Sequence, residues 1–136
     1  MARGIVVAEL KFNRLPAIGA ELKRLASRIV SKTAFDAQAV AQRESAVDTG
    51  AQRASIYTDT DQGSTYAEAV NAARALRPDA RFVEPVRRRG ELEAIVSVGV
   101  EYAVYNEYDG KAFMGPAAEE VRPSYERAME EALGRL

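Results

Sequence analysis

The sequence predicts an α+β fold: a small antiparallel β-sheet packed against one long N-terminal helix and a C-terminal helix. Three observations predict it. Apolar residues recur at three- and four-residue steps through residues 16–44, and a second such stripe runs through residues 118–133. Between them, short β-branched segments alternate with turn signals.

The elements follow in order. GIVVAELKF (4–12) is rich in β-branched residues, with Glu9 and Lys11 on one alternating face, and reads as a first strand. Pro16 then stands where it can open a helix. From there to about Glu44, Ile18, Leu22, Leu25, Ile29, Thr33, Ala37 and Val40 share one helical face. Glu21, Lys23, Arg24, Arg28, Lys32 and Gln38 occupy the other side. Such a helix is about 43 Å long, longer than a compact domain of this size is wide. One end is therefore expected to project or to pack on another subunit. Ala37, Val40 and Ala41 keep its last turns slim enough for close helix approach.

Residues 47–61 read as a turn followed by a short strand around Ala54–Thr58. Tyr66, Ala69 or Val70, Ala73 and Leu76 give a helix over 64–78, capped by Ser64 and ended by Pro78. RFVEPV (81–86) and ELEAIVSVGV (91–100) flank Arg87-Arg88-Arg89-Gly90, which reads as a hairpin with Gly90 at its turn. Residues 101–113 read as an aromatic strand or two, broken at Asp109-Gly110. Ala118, Val121, Tyr125, Met129 and Leu133 mark the last helix, which Pro123 is expected to kink or restart.

Composition limits the chemistry. The chain has no His, hence no Ser–His–Asp triad and no histidine metal site, and no Cys, hence no thiol nucleophile or disulfide framework. The cysteine-free composition fits assembly in a reducing cytosol. A net charge of −1 gives no global attraction to nucleic acid or anionic membrane. No apolar stretch approaches the ~20 residues that a membrane span requires, and the first residues lack the long apolar centre of a signal peptide. No cofactor, no metal and no membrane contact are expected.

One short motif invites an enzymatic reading. Asp48-Thr49-Gly50 after two apolar residues has the form of an aspartic protease loop, and a chain with one copy would act as a dimer sharing a proton between two Asp48 carboxylates. That loop, however, belongs in an all-β scaffold, whereas here a long helix runs almost into it. The same residues suit a helix–turn–strand joint. Asp48 can accept backbone N–H groups and cap a single helical turn through Ala51–Ala54, Gly50 supplies freedom in φ, and Thr49 and Ser55 can bond nearby backbone.

The joint also has company. Val47, Asp48, Thr49, Gly50, Arg53, Ser55 and Ile56 form one block, and Tyr102, Ala103, Tyr105, Glu107, Tyr108, Phe113, Met114, Pro116 and Ala117 form a second. Together the blocks resemble the head–tail joining or tail-completion family of tailed bacteriophages. Members commonly show a long N-terminal helix and then Pro-Val-Asp-Thr-Gly-x-Leu-x-x-Ser. Later come Tyr-Ala-x-Tyr-x-Glu-aromatic-Gly and a Phe-aliphatic-x-Pro-Ala entry to the last helix. This chain departs from that pattern at Ala46 for Pro, at Gln52 for Leu, at Asp109 interposed before Gly110, and in the helix over 64–78.

The resemblance implies a non-enzymatic virion protein, with residues 1–136 as one neck or tail-completion domain. It implies a homo-oligomeric ring of six copies, with twelve as the other count, at the neck or head-proximal end of a long tail. The implied partners are other neck proteins and the tail-terminator or tail-tube proteins. The implied location is the virion, after assembly in the host cytoplasm.

Three further groups matter in such a ring. Tyr102, Tyr105, Glu107, Tyr108 and Phe113 are candidates for a subunit interface, because tyrosine is favoured at the centre of protein contacts. The competing reading places Tyr105 and Phe113 in the chain's own core. Arg87, Arg88 and Arg89 are candidates for a lumen face touching passing DNA through its phosphates, against the plainer reading of a solvated hairpin tip. Asp59, Asp61, Glu119, Glu120, Glu130 and Glu131 read as turn formers and a solvated helix face rather than a metal or acid–base site.

Overall fold

The computed structural model describes residues 19–45, 50–108 and 110–134, the side chain of Tyr108 excepted. The strand expected at 4–12 and the helix start at Pro16 and Ile18 lie outside the described residues. Within them the architecture is the α+β arrangement the sequence predicts. Its elements are α1 (Gly19–Glu44), α2 (Ala51–Ala54), β1 (Ile56–Thr60), β2 (Gly63–Ser64), α3 (Tyr66–Leu76), β3 (Ile95–Val98), α4 (Ala103–Tyr108) and α5 (Met114–Gly134).

The core forms around α1. Its buried side chains are Leu22, Ala26, Val30, Ser31, Thr33, Ala34, Ala37, Val40 and Ala41. The buried arc is thus centred slightly round from the expected stripe, and Leu25 and Ile29 lie half-buried at its margin. Ala26, Ala34, Ala37 and Ala41 are fully covered, so the helix lets its neighbours approach closely. The two buried hydroxyls are paired: Thr33 Oγ1 donates to the Ile29 carbonyl, and Ser31 Oγ donates to Asp61 Oδ1. One flank of α1 faces the sheet, where Gln38 Nε2 reaches the Ile56 carbonyl. Another flank faces α5, which Arg43 clamps through Glu120 at 2.6 Å.

The sheet has strand order β2-β1-β3, and both pairings are antiparallel. Ile56 lies opposite Val98, Tyr57 opposite Ser97, Thr58 opposite Val96 and Asp59 opposite Ile95. All five residues of β1 are buried, so its polar groups need partners. Thr58 N donates to Thr65 Oγ1, the Tyr57 hydroxyl accepts Val86 N, and Asp59 Oδ2 accepts Arg88 N.

Here the expected hairpin is corrected. Residues 81–86 form no strand with 91–100; their arms meet only at the base, at the Phe82–Val100 bridge. Beyond that point β3 takes β1 as its partner. Pro85 lacks a ladder donor, and the N–H groups of Val86, Arg88 and Arg89 go to Tyr57, Asp59 and Glu93 side chains instead. Gly90 accordingly lies in a side-chain-tied loop rather than at a hairpin turn.

A second correction concerns residues 101–113, which hold the helix α4 instead of aromatic strands. The chain breaks at Gly110 as expected, with φ 79°. Lys111 N bonds back to the Asn106 carbonyl across it, the pattern of a left-handed helix ending.

The helix α3 forms where expected, over Tyr66–Leu76, but its N-cap residue is Thr65 rather than Ser64, whose Oγ accepts Tyr66 N just ahead of it. The helix α5 runs from Met114 to Gly134 without restarting at Pro123. That proline is exposed, so the Glu119 carbonyl it leaves without a helical donor lies on the wet side. Met114, Ala117, Val121, Met129 and Ala132 are buried, whereas Leu133 is exposed.

Candidate functional site

The described residues of the two blocks picked out in the sequence meet near the end of α1, through Gln52, Ser45 and Asn106. Asp48 and Thr49 lie outside the described residues. The first described residue of the joint is Gly50, with φ 83°, in the left-handed region where a Cβ is disfavoured. The single turn of α2 follows, as expected, and then β1.

Ser55 is the pivot between them. It is fully buried; its hydroxyl donates to the Gln52 carbonyl at 2.9 Å and accepts Val100 N at 3.3 Å. Its own carbonyl accepts Gly99 N. A Cβ at Gly99 would stand 3.4 Å from that carbonyl oxygen, so a side chain there would press on the joint. Arg53 turns inward, donating from Nη2 to the Ser45 carbonyl at 3.3 Å, while its buried Nε has no hydrogen-bond partner among the described residues.

Gln52 answers the question raised by its departure from Leu. It is buried, and its amide is satisfied at both ends. Nε2 donates to Ser45 Oγ at 2.8 Å, and Oε1 accepts Asn106 Nδ2 at 2.6 Å. The last residue of the α1 segment, the α2 turn and α4 are thus joined by one amide. Sequence reading missed this network, because Asn106 is remote in the chain and nothing local marks it.

Glu107 has a definite intramolecular task. Its Oε1 accepts Phe113 N at 3.0 Å and Met114 N at 3.2 Å, and its Oε2 accepts Gly115 N at 3.1 Å. A carboxylate therefore caps the start of α5 from the preceding helix, satisfying donors that the helix leaves open and opposing its positive end. Phe113 is fully buried in the core. Tyr102 is half-buried, with the Arg77 guanidinium 4.9 Å from its ring centre. Tyr105 points to solvent at 70% exposure. Of the candidate interface residues whose side chains are described, Tyr105 alone is strongly presented outward.

The remaining candidates lie elsewhere. Arg88 folds back on the carbonyls of Gly90 and Glu91, while Arg87 and Arg89 are exposed. Asp61 accepts both Ser27 and Ser31, Glu119 pairs with Arg122, and Glu120 pairs with Arg43. Among the described residues no group of three acidic, histidine or cysteine side chains lies together as a metal site. Burial pushes the Tyr57 hydroxyl above its ordinary pKa, against the opposing effects of Val86 N–H and Ser97; burial also raises Tyr66 and Tyr125. A groove of about 240 Å³ runs between α1 and α5, floored by Leu25, Ile29 and Ala132.

The chain matches no family model, no curated protein and no solved structure.

Proposed function

We propose that the chain is a structural virion protein of a long-tailed bacteriophage. It forms a ring, of six copies, at the neck or the head-proximal end of the tail, and acts in tail completion and head–tail joining. It works by assembly rather than catalysis, with neighbouring neck proteins and the tail-terminator or tail-tube proteins as partners. The protein is made in the host cytoplasm and ends in the virion.

One observation carries this reading beyond the resemblance. The described polar members of both motif blocks are spent on architecture: Arg53 and Ser55 on backbone carbonyls, and Glu107 on the start of α5. Residues used in this way build a rigid shape. That shape presents Tyr105 and Leu76, at 70% and 52% exposure, on its outside. The helical surroundings of the joint also favour this reading over a protease using Asp48, whose loop would belong to an all-β scaffold.

Negative-stain electron microscopy of the concentrated protein tests the proposal. Closed rings with a central hole are the expected result. Featureless single subunits at every concentration, with no binding to tail tubes, would count against it.

A further inference from the structure

The loop at residues 86–93 is fastened rather than loose. Tyr57 accepts Val86 N, Asp59 accepts Arg88 N, Glu93 accepts Arg89 N, and Lys23 pairs with Glu91 at 2.9 Å. Arg88 is used within the loop on the carbonyls of Gly90 and Glu91. The alternate side chains Arg87 and Arg89 are exposed, and neither makes a side-chain hydrogen bond or ion pair among the described residues. Two acids of the loop are engaged elsewhere: Glu91 holds Lys23 and Glu93 holds Arg89 N. Two guanidinium groups are therefore held outward on a tethered backbone, where little conformational freedom is left to lose on binding an anion.

The opposite charge lies on another flank of the same chain. The face of α5 turned away from the core carries Glu126 and Glu130, exposed, one helical turn apart, and without a partner among the described residues. The neighbouring cations are Arg122, which is spent on Glu119, and Arg127, which is a surface neighbour of Glu130 three residues on and makes no ion pair with it among the described residues. The loop hangs from β1, whereas α5 packs on the flank of α1 that carries Arg43. A net charge of −1 gives the molecule no general attraction for a polyanion, and the two patches are opposite in sign. That arrangement suits a copy of itself better than a polyanion.

We infer that a second copy of this chain seats the exposed face of its α5, through Glu126 and Glu130, on the Arg87 and Arg89 loop. The two surfaces are unlike and lie on different flanks, so the contact is heterologous and propagates head to tail, as a ring requires. The inference rests on the self-assembly reading above and assigns that contact its chemistry.

Sedimentation velocity of the full chain, at about 0.05 M and 0.5 M salt, tests it with two charge-reversed variants, R87E/R89E and E126R/E130R. All four side chains are exposed, and circular dichroism verifies that both variants fold. The wild type is expected to assemble more weakly at high salt. Each variant alone is expected to need about tenfold more protein, or still more, because like charges then face each other. An equimolar mixture is expected to regain assembly, since each variant's reversed surface meets its complement on the other.

Wild-type assembly that both variants keep unchanged overturns this contact and leaves the ring reading standing. A wild type that stays monomeric at every concentration and salt overturns the ring reading itself, and this contact with it. Normal assembly by R87E/R89E, with loss of salt-sensitive retention of duplex DNA, overturns it in favour of nucleic-acid phosphate as the loop's partner.

Discussion

Asn106 donates its side-chain amide to Gln52 Oε1 at 2.6 Å, and through that bond α4 is fixed to the turn that follows α1. Gln52 is buried, and its other end donates to Ser45. Replacing it with Ala removes both bonds and leaves the buried Ser45 hydroxyl short of a donor. The expected loss is about 1–3 kcal/mol of unfolding free energy. Gln52→Leu should cost less, because the apolar side chain refills the space and the half-buried Asn106 can turn to water. Urea denaturation with an unchanged m-value would check both; equal losses for the two variants would show that the amide is not satisfied as described.

Glu107 caps α5 through three backbone N–H groups. Glu107→Ala should destabilise the protein by about 1–2 kcal/mol. Glu107→Gln, which keeps one acceptor oxygen but loses the charge, should fall between Ala and wild type. Hydrogen exchange at Phe113, Met114 and Gly115 gives the specific readout: these amides should lose protection before the middle of α5 does.

Gly50 has φ 83°, and a Cβ there would meet Leu76 Cδ1 at an ordinary 3.5 Å. The cost of Gly50→Ala is therefore conformational rather than steric, about 1–2 kcal/mol. Gly50→Asn should cost less, because asparagine tolerates this region better. A thermal melt of the pair would decide it, and equal losses would point to packing against Leu76 instead.

Burial raises the Tyr57 hydroxyl above its ordinary value of 10.0. A group whose folded pKa is raised contributes fully below the unfolded pKa, and its contribution is lost as pH rises through the folded one. Stability should therefore hold up to about pH 10 and then decline. Tyr57→Phe should flatten that alkaline decline, and lower stability at neutral pH because Val86 N–H loses its acceptor. Unfolding measured between pH 8 and 11 would check it; an unchanged alkaline slope in the variant would contradict it.

How much of this was legible in the sequence follows from how local each signal is. The helices α1, α3 and α5 announce themselves, because Leu22, Ala37, Val40, Val70, Ala73, Val121 and Met129 stand at helical steps over several turns. The single turn of α2 was legible from turn chemistry at Gly50. The helix α4 was not: at six residues it is too short for periodicity to separate it from an aromatic strand. The partner of β3 was also hidden. Residues 81–86 are its nearest extended neighbours in sequence, yet β1 wins, and the amides near Pro85 go to Tyr57 and Asp59. Glu107 was singled out for an interface, and only the folded chain shows Phe113 N beside it.

Ring assembly is the central claim, and native mass spectrometry of the full chain tests it most directly. The chain mass is 14.8 kDa, so the account predicts a species of six copies near 89 kDa. Tyr105→Ala should shift the population toward monomer while leaving the melting temperature unchanged, because the side chain is 70% exposed. A protein that remains at 14.8 kDa throughout a concentration series would contradict the account.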